Sequence, residues 1–164
     1  MMVNAANPEP VIEEFWDVRF DVDRSTSEDE WKDRLVEGLG RAVDRRLIAD
    51  VPLGAFLSGG VDSSLIVALM TERMDRPVQT YTIGFRDEDL KRDIQEDDVV
   101  WARKIAKLFK TDASERILEP DVMDLLPKLV YAMDEPVADP AIVTSFLICR
   151  EARETLTVLL SGMG

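Results

Sequence analysis

Most of this chain consists of segments whose pattern of apolar and polar residues is typical of either a strand or a helix. Short segments with apolar, β-branched or aromatic residues predict strands at about 53–57, 78–85, 114–118 and 155–160. Apolar residues spaced three or four apart predict helices between these runs, at about 28–47, 63–74, 99–108, 122–130 and 141–154. Because strands and helices alternate, we expect a parallel sheet with helices on both faces, a Rossmann-like α/β fold. Ligands of such sheets bind at the carboxyl ends of the strands.

Two helices carry a defined apolar face. Ser27 followed by Glu30 is typical of a capping box that opens the first helix. Its predicted buried face comprises five apolar residues: Trp31, Leu35, Leu39, Val43 and Leu47. A later helix follows the charged stretch 86–98, which we expect to be an exposed loop. In that helix the inward residues are expected to be Val99, Ile105 and Leu108, with Trp101 beside them.

Residues 1–27 are polar and contain proline, so we expect an arm or linker with one short strand at 15–20. Residues 28–164 are then expected to form one domain. The loop 134–140 holds three carboxylates and two prolines. These carboxylates, Asp134, Glu135 and Asp139, are consistent either with a site for a metal or an amine, or with a solvated turn that caps a helix.

Composition excludes several classes of function. With 33 acidic and 20 basic residues the net charge is -13, which argues against non-specific nucleic-acid binding. No stretch is long and apolar enough to cross a membrane, and we find no signal peptide pattern. The chain has no histidine and one cysteine, Cys149, which lies in an apolar run and is expected to be buried. A single cysteine excludes a disulfide framework and favours a reducing cytoplasm.

The segment 58–64, Ser-Gly-Gly-Val-Asp-Ser-Ser, lies between a predicted strand and a predicted helix. We call these seven residues the heptad. Glycines at a helix start bring free backbone N–H groups and the positive helix end to one point, which favours a phosphate or pyrophosphate. Ser58, Ser63 and Ser64 add hydroxyl donors, and Asp62 is suited to a Mg²⁺ between it and the phosphates. The alternative is an ordinary turn in which Asp62 or Ser63 caps the helix.

The heptad is neither a Walker A loop nor a dinucleotide fingerprint. It resembles the pyrophosphate loop of the N-type ATP pyrophosphatases, whose fold is of the adenine nucleotide alpha hydrolase type. Further segments, in the same order along the chain, resemble the synthetase domain of glutamine-hydrolysing asparagine synthetases. They are Asp50–Leu57 leading into the heptad, Thr80–Phe85, Trp101–Ala106, Asp134–Pro136 with Asp139–Pro140, and Val158–Gly164.

The resemblance implies adenylation of the aspartate side chain by ATP, then displacement of AMP by ammonia from glutamine. It implies Mg²⁺ as cofactor, with Asp62 as metal ligand and catalytic residue. The residues implied in pyrophosphate and Mg²⁺ binding are Ser58, Gly59, Gly60, Asp62, Ser63 and Ser64. Backbone near Phe56, Leu57 and Ile83 with Gly84 would hold the adenosine, and Ser161 and Gly162 would close the site.

Three departures accompany the resemblance. The glutaminase domain of the family is missing, and Asp112-Ala113-Ser114 stands where a histidine pair is usual. The chain also stops at Gly164, before carboxylates and a lysine of the family, so we expect a truncated domain with little activity alone. Two alternatives remain open: a related adenylating cyclase of the β-lactam or lasso-peptide type, and a non-catalytic nucleotide-binding domain.

Overall fold

The computed structural model describes residues 2–4, 7–85, 96–118, 122–135, 137–139 and 141–162. The chain forms two compact units, residues 1–36 and 37–164. In the first unit, β1 (Met2–Asn4) pairs antiparallel with β2 (Asn7–Val11). None of the helices in the described part of the chain is long and apolar enough to cross a membrane.

The predicted strand at 15–20 is wrong. Residues 12–24 have no regular secondary structure, and the Phe15 side chain is 98% exposed. A strand needs a partner for its backbone groups, and in the described residues of this unit the pairing is made earlier, between β1 and β2. An alternating apolar pattern favours a strand but does not supply that partner.

Helix α1 (Glu28–Arg46) begins with the predicted capping box. The Ser27 N–H donates to Glu30 Oε2 over 2.9 Å, and the Glu30 N–H donates to Ser27 Oγ over 3.3 Å. The hydrogen bonds from Ser27 hold the pKa of the Glu30 carboxyl below its ordinary value. Val43 is buried, and Leu39 and Leu47 pack against the core.

The other end of the predicted face of α1 is exposed, contrary to expectation. Trp31 is 47% and Leu35 61% exposed. Helical periodicity defines which residues share a face, but it does not define how far along the helix a core extends.

The second unit contains a parallel sheet, as predicted. Its strands among the described residues are β3 (Leu53–Phe56), β4 (Gln79–Phe85), β5 (Asp112–Leu118) and β6 (Val158–Leu160), in the order β5-β4-β3-β6. Every pair is parallel, with Ala55 opposite Thr80 on one side and opposite Leu160 on the other. The connecting helices are α2 (Val61–Arg73), α3 (Glu96–Phe109), α4 (Val122–Met133) and α5 (Ala141–Ala152).

Helices cover both faces of this sheet because alternate strand residues point to opposite sides. Leu53 and Ala55 of β3 belong to a core cluster with residues of α1, α2 and α3. Phe56 packs instead into a second cluster, which contains Ile148 and Ala152 of α5. The α/β fold class predicted from the sequence is therefore confirmed.

Three side-chain placements in these helices differ from prediction. In α3 the buried residue is Ala102, with Ile105 partly buried, whereas Leu108 and Trp101 are exposed. Cys149 is exposed, because Leu147, Ile148 and Ala152 are the residues that α5 turns inward. Residues 96–98 of the predicted charged loop belong to α3, and 86–95 lie outside the described residues.

A salt bridge joins α3 to β5. Arg103 Nε and Nη2 donate to the two oxygens of Glu115 over 2.7 and 2.6 Å. These hydrogen bonds hold the pKa of the Glu115 carboxyl below its ordinary value. The stability that the salt bridge contributes is complete above the pKa of an unfolded glutamate, about 4.3. It is lost as the pH falls through the lower pKa of the folded state.

We therefore expect Glu115→Gln to lower the free energy of unfolding at pH 7, and the difference from wild type to shrink towards pH 3. Urea unfolding at several pH values measures this difference. Glu154→Gln, at an exposed glutamate after α5, serves as control. A destabilisation by Glu115→Gln that stays constant with pH would contradict the assignment.

Candidate functional site

The heptad joins the carboxyl end of β3 to the start of α2. The Leu57 N–H donates to the Tyr81 carbonyl over 2.9 Å, and Thr82 Oγ1 donates to the Leu57 carbonyl over 2.7 Å. These bonds tie the entrance of the heptad to β4. The heptad thus begins from a fixed point at the carboxyl end of the sheet, where ligands of parallel sheets bind.

The serines of the heptad fold it onto itself. Ser58 Oγ and Ser63 Oγ lie 3.0 Å apart, and the Ser58 N–H donates to Ser63 Oγ over 3.3 Å. Ser63 Oγ and Ser64 Oγ also donate to the Gly60 carbonyl, over 3.2 and 2.7 Å. The hydroxyl groups therefore fix the shape of the loop, which the sequence alone did not indicate.

The N-terminus of α2 has no side-chain cap in the described part of the chain. Gly60 is the N-cap residue, and no side chain of the described residues makes the cap hydrogen bond. The alternative in which Asp62 or Ser63 caps the helix is therefore wrong. Uncapped N–H groups and the helix dipole together favour an anion at this point.

Gly59 is the residue of the heptad that must be glycine. Its φ of 83° lies in the left-handed region, and an added Cβ would lie 2.8 Å from the Ala102 nitrogen and 2.9 Å from Trp101 Cβ. The first turns of α3 thus pack directly against the heptad. No pattern in the sequence predicts this contact, which joins residues about forty positions apart.

Gly60 has a different environment. Its backbone is extended, and among the described residues the nearest heavy atom to an added Cβ would be Ser58 Oγ at 3.5 Å. No atom of the described residues therefore requires glycine here. The space that a side chain would fill lies beside the uncapped helix end, and it is open to a ligand that contacts the backbone.

The structure brings Gly162 to the same place. An ideal Cβ on Gly162 would lie 2.6 Å from the Ser63 nitrogen and 2.6 Å from the carbonyl carbon of Asp62. This approach follows from the pairing of β6 with β3, because Leu160 lies opposite Ala55. Ser161, which lies between Leu160 and Gly162 in the chain, is exposed.

The remaining predicted residues lie in the sheet around the heptad. Leu57 is buried in the first core cluster, whereas Phe56 and Ile83 pack against the second. Gly84 is buried, and an added Cβ would meet Ile117 Cδ1 at 2.8 Å and Val99 Cγ2 at 2.9 Å. These residues bring the backbone of β3 and β4, rather than reactive side chains, to the carboxyl end of the sheet.

Asp62 is an exposed carboxylate in the first turn of α2. No group of three or more acidic or cysteine residues in the described part of the chain is placed to hold a metal ion. Mg²⁺ is often bound by only one or two carboxylates, together with water and substrate phosphates. A single exposed Asp62 beside the uncapped N-terminus of α2 is compatible with this mode of binding.

The acidic loop before α5 is partly a helix cap. Asp139 Oδ1 accepts a hydrogen bond of 2.9 Å from the Ala141 N–H, at the first residue of α5. Asp134 and Glu135 border an apolar cavity of 690 Å³ between α4 and α5, while Pro136 and Pro140 lie outside the described residues. The capping interpretation thus accounts for Asp139.

Comparison with known proteins shows which family this sequence matches. The sequence matches the asparagine synthase family over residues 34–164. Asparagine synthetase [glutamine-hydrolyzing] 1 of Bacillus subtilis is 34% identical over 140 residues, which cover 85% of this chain and 21% of the relative. The asparagine synthetase of Bos taurus is 28% identical over 133 residues, 75% of this chain and 22% of the relative. The chain thus spans about a fifth of the length of these relatives.

The fold is similar to that of the solved NH3-dependent NAD synthetase of Campylobacter jejuni, with a TM-score of 0.52 and 11% sequence identity. The match covers 80% of this chain and 56% of the other. The shared architecture is the adenine nucleotide alpha hydrolase-like fold.

Proposed function

Since this chain belongs to the asparagine synthase family, we propose that its second unit binds ATP at the heptad as part of an ATP-dependent ligase. The substrate would be the side-chain carboxylate of aspartate, activated as an acyl-adenylate. Ammonia from glutamine would then form asparagine, with release of AMP and pyrophosphate. The observation that supports this proposal most strongly is the uncapped N-terminus of α2 beside the open space at Gly60.

The proposed site works through its backbone. Amide N–H groups at the start of α2 would hold the β and γ phosphates, because these groups and the helix dipole point to one place. The hydrogen bonds among Ser58, Ser63 and Gly60 fix the loop before the nucleotide arrives. We call these prearranged amide groups the phosphate cradle. The cradle would align the phosphates with the attacking carboxylate, so that positioning and charge stabilisation lower the barrier.

The adenosine would lie against the backbone at the ends of β3 and β4, near Phe56, Leu57, Ile83 and Gly84. Ser161 and Gly162 would close the other side, since Gly162 contacts the first turn of α2. Asp62 would hold Mg²⁺, whose chemistry there is to neutralise charge on the pyrophosphate. Asp62 projects from the helix end that would hold the phosphates, which supports this role.

Asp62→Asn is the variant that tests the metal. We expect it to weaken the Mg²⁺-dependent part of ATP binding by at least about 10-fold, since even indirect supports of a metal site contribute that much. Titration calorimetry with ATP, in Mg²⁺ and in EDTA, measures this difference.

Asp75→Asn is the matched control, because Asp75 is an exposed aspartate beyond the other end of α2. It makes the same change of charge and should bind Mg·ATP as wild type does. Equal Mg²⁺ dependence in all three proteins would remove Asp62 from the site. A wild-type protein that binds no ATP would overturn the proposed function itself.

A further inference from the structure

Trp101 and Lys104 form a cation–aromatic contact on α3, next to the heptad. Lys104 Nζ lies 3.9 Å from the centre of the Trp101 ring. Trp101 is 50% exposed, and its Cβ lies 2.9 Å from the position that a Cβ on Gly59 would take. The ring that holds the ammonium group therefore belongs to a residue packed against the heptad.

The side chain of Lys104 leans back along α3, towards the end of the helix that contacts the heptad. Asp98, Trp101 and Ala102 contact Gly59, so the first turns of α3 lie at the carboxyl end of the sheet. Helical side chains lean towards the N-terminus of their helix. Lys104 leans back over Trp101, one turn earlier, and thus towards the phosphate cradle rather than away from it.

No carboxylate among the described residues forms a salt bridge with Lys104, whereas the neighbouring Arg103 is paired with both oxygens of Glu115. The heptad itself contains no cation, and the chain carries a net charge of -13. A polyphosphate at the heptad needs positive charge that the heptad does not supply.

We propose that Lys104 is a phosphate-recognition residue of this site, and that Trp101 is the positioning residue that holds it. The ligand of Lys104 is the pyrophosphate portion of a nucleoside triphosphate, or free pyrophosphate, bound at the heptad. This inference rests on the proposed function and names a residue of the same site. Lys104 reaches the outer phosphates, so an α-phosphate alone gains nothing from it.

Lys104→Gln tests this role by its selectivity among ligands. We expect ATP and inorganic pyrophosphate to bind about 5-fold more weakly at low salt, the size of a partly exposed ion contact. The loss should shrink at high salt because such contacts are screened. AMP, which lacks the outer phosphates, should bind as it does to wild type.

Two further lysine variants test whether the loss of affinity comes from the position of the Lys104 charge or from net charge alone. Lys104→Arg should retain most of the affinity for pyrophosphate. Lys107→Gln makes the same change of charge one turn further from the heptad on α3, and should have a clearly smaller effect. Equal losses from Lys104→Gln and Lys107→Gln would overturn the proposal, because only net charge would then matter.

A double-mutant cycle tests the positioning role of Trp101. Trp101→Leu should weaken pyrophosphate binding when Lys104 is present, and have little effect in the Lys104→Gln background. Equal effects in both backgrounds, or an equal loss of AMP binding, would show that Trp101 only shapes the loop. A wild-type chain that binds neither ATP nor pyrophosphate would overturn the proposed function, and this inference with it.

Discussion

Gly60→Val is expected to abolish Mg·ATP binding while it leaves the fold intact. In the part of the chain that the structure describes, an added Cβ at Gly60 meets no atom closer than Ser58 Oγ at 3.5 Å, and the extended backbone there accepts valine. The branched side chain would instead fill the space beside the uncapped helix end. We expect the free energy of unfolding to stay within about 1 kcal/mol of wild type, the usual range for a change of N-cap residue.

Gly59→Ala is the matched variant, and unlike Gly60→Val it is expected to lower the free energy of unfolding. A left-handed backbone costs a residue with a Cβ about 1–2 kcal/mol. The new Cβ would also press on the Ala102 nitrogen and Trp101 Cβ, and overlap in a packed site typically costs a further 1–3 kcal/mol or so. Gly59→Ala should therefore lower both stability and ATP binding.

Urea unfolding and titration calorimetry on the same preparations separate the two glycines. Undiminished ATP affinity in Gly60→Val would show that the nucleotide does not contact the loop there. Unchanged stability in Gly59→Ala would show that α3 does not pack against Gly59 as the structure has it.

Local patterns predicted the elements that build the site. The apolar run before Ser58 and the helix after Gly60 depend on neighbours a few positions away, and both form where periodicity places them. The capping box of Ser27 and Glu30 is equally local and is confirmed. Alternation of strands and helices then implies the parallel sheet, and with it the end at which β3 leads into the heptad.

Contacts between distant segments could not be predicted in this way. The packing of Trp101 against Gly59 depends on how α3 lies across the loop, which no spacing in either segment encodes. Leu108 and Cys149 are exposed, contrary to prediction, because an apolar residue beside a buried position need not share its face. The uncapped end of α2 likewise appears only once the serine hydroxyls are seen to bond to Ser58 and Gly60.

Gly162→Ala is expected to damage the site from its other side. The new Cβ would lie 2.6 Å from the Ser63 nitrogen, a backbone atom that cannot rotate away. The segment after β6 and the first turn of α2 must then separate, at a cost of about 1–3 kcal/mol in unfolding free energy. Mg·ATP binding should weaken as well, because the displaced turn carries Asp62 and the amide groups of the cradle. Gly38→Ala is the control, since an added Cβ there meets none of the described residues within 4 Å and lies inside α1, where alanine is favoured by about 0.5–1 kcal/mol. If Gly162→Ala unfolds and binds ATP like Gly38→Ala, the end of β6 does not support the heptad, and the nucleotide site consists of β3, β4 and α2 alone.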